Sequence, residues 1–407
     1  MSKVRLVLED PHGFLRWLAA AIERQVANLD EVDVAQAFAI AATAALARTE
    51  RPERIRLVGD ASGASRFAHA LGVDQVLTGA DEPEARERGR TVTLTRVKGR
   101  GPKEQISSKI VKLLLPSTPE TLEAANLFRY VLVELLRNVG QHSQDPLGGI
   151  VAAQINDAGP YANKPALQLV VVDNGIGIFE ALRRARPSIT TASEAIVRAL
   201  EPHVSGAFAE GESGSGENAG LGLFFIAEMA KLTDGRLFVA SRGATLFLDR
   251  SDDELAQPVL TNGDAPDYPG TLVVFETEIG HVHDYDGIMA RIRDAAKERT
   301  PQRIVQHWLR FSDAPAGVLR ILIGVASEDT AEAQELARTT LHPRVTRREP
   351  VVLDFKNMRV CTQSYLHALL HETVRLAWAV KTPIYVMNAS PAVRAHLELV
   401  EAYSLGG

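Results

Sequence analysis

Cysteine is nearly absent from this chain of 407 residues: Cys361 stands alone, which precludes an internal disulfide and fits a reducing cytosol. Its apolar surroundings mark a small core residue and not a nucleophile. Long apolar runs are missing as well. The longest mostly apolar stretches, such as residues 34–47, fall short of the roughly 18–20 residues a membrane span needs, and no signal-peptide pattern is read near the start. The expectation is a cytoplasmic protein with no membrane partner. A net charge of −6 offers no general attraction to nucleic acid or anionic lipid. No Gly-x-x-x-x-Gly-Lys-Ser/Thr occurs, which excludes a P-loop, and Gly214-x-Gly216 is followed by x-x-x-Gly, which spoils a dinucleotide fingerprint.

What is present is ordinary in bulk, with 45% hydrophobic and 24% charged residues, and the length suggests two or three domains. The informative part lies in three segments. Residues 127–139 are apolar on most faces and free of Gly and Pro until Gly140, as a buried helix requires. Glu134, Asn138 and His142 interrupt that pattern at a spacing of four and so share one helical stripe. Burying such groups unpaired costs on the order of 1–3 kcal/mol each, so something should pair with them. Mg²⁺ with phosphate oxygens would suit Asn138, and Glu134 could accept a proton from water or a hydroxyl. His142 could approach phosphate or serve as a hydrogen-bonded structural group.

Residues 167–172 form a β-branched and apolar run broken only by Gln168, fit for a buried strand, and end in Asp173-Asn174-Gly175-Ile176-Gly177. Asp173, an acceptor at a strand end, suits an exocyclic amine such as that of adenine. Alone, the Asn-Gly pair reads equally well as a plain turn. The third segment, with Gly211, Gly214 and Gly216 before Gly220-Leu221-Gly222-Leu223, opens a helical pattern and points free N–H groups at anions.

These residues resemble the GHKL superfamily, the Bergerat-fold ATPases that include gyrases, MutL proteins, histidine kinases and anti-sigma factor kinases. Glu134 and Asn138 match its N box, Asp173, Gly175 and Gly177 its first glycine box, and Gly220 and Gly222 its second. Gly270-Thr271 then opens a strand that, by resemblance, sits beside adenine and Asp173. The resemblance covers roughly residues 119–280. It implies ATP and Mg²⁺ as cofactors, Glu134 as the catalytic residue, Asn138 as metal ligand, and Asp173, Gly175, Gly177, Gly220, Gly222 and Thr271 as nucleotide-binding residues. Residues 178–219 would then hold the ATP lid. Thr191–Glu194 reads as a capping box there, and Arg183, Arg184 and Arg198 as phosphate contacts or a solvated face.

The flanks are expected to be α/β. Residues 1–115 alternate strand and helix patterns with no evident catalytic residue, and the basic, glycine-rich 98–103 reads as an exposed linker or hairpin. Residues 283–407 repeat strand, helix, strand, which implies parallel pairing. Val351–Phe355 followed by Cys361-Thr362-Gln363-Ser364 resembles the STAS domains of anti-sigma antagonists, which makes Ser364 a candidate phosphoacceptor at an exposed helix start. The usual Asp-Ser-Ser-Gly is missing, and helix capping by Thr362 or Ser364 is the competing role. His367 and His371, and His281 with His283 and Asp284, are weak metal candidates.

The expected fold class is therefore α/β: a central Bergerat-fold α/β sandwich over 116–282, an N-terminal α/β region over 1–115 and a STAS-like α/β domain over 283–407. Residues 101–126 contain no histidine, which disfavours autophosphorylation on an internal dimerisation helix. An ATP-driven regulatory switch with a protein partner or homodimer is expected. A Ser/Thr kinase acting on a STAS domain and a non-hydrolysing binding module are the alternatives.

Overall fold

The structure, a computed structural model, describes residues 4–48, 54–78, 85–98, 103–157, 164–202, 204, 222–249, 259–262, 266–298, 307–312, 314–324, 329–358 and 361–406. The described chain is mixed α/β. It divides into two compact units, Met1–Arg198 with Met229–His283, and Ala199–Glu228 with Asp284–Gly407.

The first unit begins with β1 (Val4–Leu6), α1 (Pro11–Arg24), β2 (Val26–Asn28), β3 (Val32–Ala35), α2 (Ala37–Arg48), β4 (Arg56–Val58), α3 (Gly63–Ala70) and α4 (Val73–Thr78). The expected α/β alternation is there, as two short parallel pairs, β1–β3 and β2–β4. Asp10 caps α1 through Gly13 N–H at 2.7 Å, and Ser62 caps α3 through Ser65 N–H at 2.9 Å. Next come β5 (Glu87–Arg88), β6 (Thr91–Val97), α5 (Lys103–Leu114), α6 (Pro119–Asn138), β7 (Gly149–Asn156), β8 (Ala166–Asp173), α7 (Gly177–Ala185) and α8 (Ala192–Ala199). The unit resumes within α9 (Gly222–Leu232) and adds β9 (Arg236–Ser241), β10 (Ala244–Leu248), β11 (Val259–Asn262) and β12 (Thr271–Glu278). Thr191 accepts from Glu194 N–H at 3.2 Å, the forward half of the expected capping box, while Glu194 reaches back to Thr190 N–H at 3.1 Å.

Eight strands form one antiparallel sheet in the order β11-β10-β9-β12-β8-β7-β6-β5. Both faces of its centre are covered. Ile150, Ala152, Val170, Val172, Phe238, Ala240, Leu272 and Val274 share one core with Phe14, Leu18 and the residues of α2. On the other face Phe128 of α6 meets Phe275 edge-on, with ring centroids 6.0 Å apart. Alternation along each strand produces this split. The same core runs across the expected boundary at residue 115. Strands β5 and β6 belong to the eight-stranded sheet, and α2 packs on β7 and β8, so residues 1–115 share the core of the segment that follows.

The second unit contains α10 (Tyr285–Glu298), β13 (Leu309–Arg310), β14 (Leu319–Leu322), α11 (Thr330–Leu336), α12 (His342–Thr346), β15 (Val351–Asp354), α13 (Gln363–Val380), β16 (Ile384–Met387) and α14 (Pro391–Gly406). Its sheet, in the order β13-β16-β15-β14, is parallel throughout, as the strand–helix–strand rhythm predicts. Among the described residues no helix is long and apolar enough to cross a membrane.

Candidate functional site

Strand β8 is buried at every position and stops at Asp173, which is 5% exposed. Directly opposite, across the antiparallel ladder, stands Thr271, the first residue of β12. The chain after Asp173 turns sharply. Gly175 N–H donates to Asp173 Oδ1 at 2.7 Å, and Ile176 N–H donates to the Ser143 carbonyl at 2.8 Å. That carbonyl ends the π-helical turn Val139–Ser143 which continues α6 past Asn138. The glycine turn is thereby tied to the end of the helix carrying Glu134, Asn138 and His142.

Two glycines are required by geometry. A Cβ on Gly175 would lie 2.0 Å from the Ser143 oxygen, and Gly177 has φ +81°, in the left-handed region. Ser241, at the end of β9, fastens the rest. Its hydroxyl donates to Gly270 O at 2.9 Å, accepts from Ile178 N–H at 2.9 Å and stands 3.5 Å from Thr271 Oγ1. Arg242 donates to Gly175 O at 3.3 Å. The sequence reading overlooked both; their position at a strand end before Gly243 is the signal that would have pointed to them.

Asn138 is half-buried at the last position of α6. Glu134, one turn earlier, is 2% exposed, and Arg137 stands 3.5 Å from its Oε1 and 3.1 Å from Glu104 on α5. The pairing expected for this buried carboxylate therefore includes a guanidinium of its own helix. His142 is half-buried, and the packing around its ring pushes its pKa down to about 4, leaving it neutral at pH 7.

Arg183 and Arg184 both bond Glu180, at 2.9 and 3.2 Å, on an exposed face of α7. Their guanidinium groups hold the Glu180 carboxyl below its ordinary value. Phe179, Pro187, Ile189 and Thr190 join them around a cleft of about 610 Å³. Arg198 is exposed. Gly222 is the first residue of α9 and belongs to the second unit. Gly211, Gly214, Gly216 and Gly220, with residues 203 and 205–219 of the expected lid, fall outside the described residues, as do residues 99–102 of the basic linker.

In the second unit Asp354 ends β15. Burial works to raise its carboxyl, and bonds from Asn388 at 2.6 Å, Arg320 at 2.7 Å and Lys356 N–H at 3.0 Å outweigh this, leaving it below the usual value. Thr362 is the N-cap of α13, accepting from Tyr365 N–H at 3.2 Å. Ser364 is only 8% exposed, which corrects the expectation of an exposed hydroxyl there. His367 and His371 stack with ring centroids 4.5 Å apart, and His371 bonds Ser404 at 3.0 Å. Among the described residues no group of three or more His, Cys, Asp or Glu could hold a metal ion. Cys361 is buried, in keeping with a core role.

No protein-family model matches this chain, and neither a curated protein nor a solved structure does.

Proposed function

We propose that the site at Asp173 binds ATP with Mg²⁺ in the manner of a Bergerat-fold protein, and that the nucleotide drives a regulatory switch. One observation carries the reading: Asp173 and Thr271 stand opposite each other at the end of two buried strands, beside a glycine turn bonded to the end of α6. In that arrangement the Asp173 carboxylate accepts the adenine amine, with Thr271 beside it. Gly175 and Gly177 bring backbone close to the ligand, while Gly220 and Gly222 are assigned to phosphate binding by the resemblance alone. Asn138 would supply one oxygen to Mg²⁺, an ion that keeps several waters and suits phosphate oxygens as its other ligands. The nucleotide supplies the γ-phosphoryl group, and Glu134 orients the attacking oxygen of water or of a protein hydroxyl. On this reading residues 116–282, joined by β5 and β6 at the sheet edge, form the Bergerat-type sandwich, and 283–407 are a STAS-like partner or dimerisation element.

A second reading, a nucleotide-binding module without turnover, is favoured by the Glu134–Arg137–Glu104 contacts, because the guanidinium occupies the carboxylate that would otherwise face the attacking oxygen. One experiment separates these readings. Purified protein and its Asp173→Asn variant are titrated with Mg-ATP in a calorimeter, and ADP release and protein-bound phosphate are followed. Asp173→Asn should weaken ATP binding by about a hundredfold, since the amide turns a donor toward the adenine amine. Wild-type affinity in a folded variant refutes the ATP assignment. Binding without ADP or phosphoprotein selects the module.

A further inference from the structure

Asn174, the residue between the proposed adenine ligand and the glycine turn, is held from behind by the N-terminal layer. Its amide Nδ2 donates to the Ala45 carbonyl of α2 at 2.6 Å, and its Oδ1 accepts from Tyr268 OH at 2.8 Å. The same hydroxyl stands 3.3 Å from Ala42 O, one turn back along α2. The Asn174 backbone N–H donates to Asp145 Oδ2 at 2.8 Å, and Asp145 faces Arg48, the last residue of α2, at 4.0 Å. Arg48 completes the set through Leu147 O at 3.0 Å and Gly148 O. Asn174 is 2% exposed, Tyr268 fully buried, and the Arg48 and Asp145 side chains are each 4% exposed. Burial, with the Asp173 carboxylate next in order, raises the Tyr268 hydroxyl well above its ordinary pKa, so it stays a donor.

Plain anchoring of α2 to the sheet needs no such network, because apolar packing would do it without desolvating two charges. What the network adds is direction. It fixes both the backbone and the side chain of the residue that follows Asp173, and so sets where the carboxylate points.

We infer that Tyr268, Asn174, Asp145 and Arg48 form a positioning brace through which the N-terminal layer sets the affinity of the nucleotide site. This rests on the ATP reading above, and it assigns residues 37–48 the role of a lever on that site. Movement of the last turn of α2 would be passed to Asp173 through two hydrogen bonds.

The test uses the full chain, with Tyr268→Phe, which removes one hydroxyl and keeps the ring. Thr43→Val serves as the control: it deletes another buried hydrogen bond of α2, Thr43 to Ala39 O at 2.6 Å, away from the turn. ATP affinity is read by calorimetry, and amide exchange at Gly175 and Ile176 by NMR. Tyr268→Phe should weaken ATP binding about 5- to 20-fold and speed exchange at those two amides, while Thr43→Val lowers stability and changes neither. Conservative rescue is a further check: Arg48→Lys, which keeps the charge beside Asp145, should retain more affinity than Arg48→Met. Loss of stability in Tyr268→Phe with wild-type affinity and exchange overturns the inference. A wild-type protein that binds no ATP refutes the nucleotide reading instead, and exchange at Gly175 and Ile176 then still decides whether the brace controls the turn.

Discussion

Replacing Gly175 by Ala tests the geometry of the turn without any assumption about its ligand. The new Cβ would lie 2.0 Å from the Ser143 oxygen and 2.6 Å from both the Ser143 carbonyl carbon and Asp173 Oδ1. None of these is the free end of a flexible side chain. Ser143 O is fixed by Ile176 N–H at 2.8 Å and Asp173 Oδ1 by Gly175 N–H at 2.7 Å, so relieving the overlap breaks both bonds. Each net bond contributes about 1 kcal/mol, and a buried group left unpaired adds a penalty of about 1–3 kcal/mol, which places the total near 3–5 kcal/mol. For a unit of this size that corresponds to a drop in melting temperature of roughly 5–15 °C. Urea denaturation followed by tryptophan fluorescence and calorimetry reads it out, with Gly63→Ala as the comparison. Gly63 opens α3, and the nearest atom to its added Cβ is 3.9 Å away, so that variant should lie within about 1 kcal/mol of the parent. Equal stabilities for the two variants would refute the close approach of Ser143 to the turn.

Glu134→Gln preserves an acceptor for Arg137 and should keep nucleotide bound while ADP release falls roughly 10²- to 10⁴-fold; turnover at the parent rate removes Glu134 from the chemistry. Stability should decline in acid through histidines that the fold keeps neutral. Burial pushes His396 down to about 3 and His142 to about 4, so below their ordinary pKa near 6.5 the unfolded chain takes up protons that the native one refuses. Stability is complete above about pH 6.5 and falls by up to about 1.4 kcal/mol per pH unit for each group, down to about pH 3 for His396 and about pH 4 for His142. Denaturation midpoints at pH 7 and 5 should differ less in His396→Leu than in the parent, and an unchanged difference would exclude His396. With Ser364 buried, mass spectrometry after incubation with Mg-ATP should find no phosphate on it; phosphoserine there would mean that the start of α13 opens in solution.

The long periodic elements were legible in the sequence because their signals are local. The apolar run ending in Asp173 is β8, the run through Glu134 is α6, and the alternation of residues 351–387 is a parallel sheet. Strand β7 was missed because Gly149, Ala152 and Ala153 lack strand propensity; Gly149 stands where a Cβ would crowd Val139 at 3.0 Å, a long-range constraint with no local trace. The spacing of Asp173 and Gly175 described the turn, yet the partners that shape it, Ser143, Ser241, Tyr268 and Ala45, lie 30 or more residues away in sequence. Ser364 failed as an exposed group for a related reason. Helix position was readable and burial was not, since burial depends on what packs against α13, and α14 does so.

The core that residues 1–115 share with the segment that follows has its cause in the same two patterns. Helix α2 carries no charged residue before Arg48 and is buried on every side, while β8 has no solvent face at all. A helix with no polar face needs apolar cover on both sides, and so does a strand whose two faces are both apolar. Each supplies what the other lacks. The few polar groups at this junction are paired across it: Gln36 Oε1 accepts from Leu8 N–H at 2.9 Å and from Gln168 at 3.1 Å, and Gln168 donates to Glu276 at 2.9 Å. Glu276 also takes the buried Arg236, which bonds Glu9 at 3.1 Å. With Gln36, Gln168, Glu276 and Arg236 nearly dry, parting the N-terminal layer from the sheet would strand an arginine, a glutamate and two amides in apolar surroundings. The two layers therefore share one core, held at its edge by polar groups that pair across the junction.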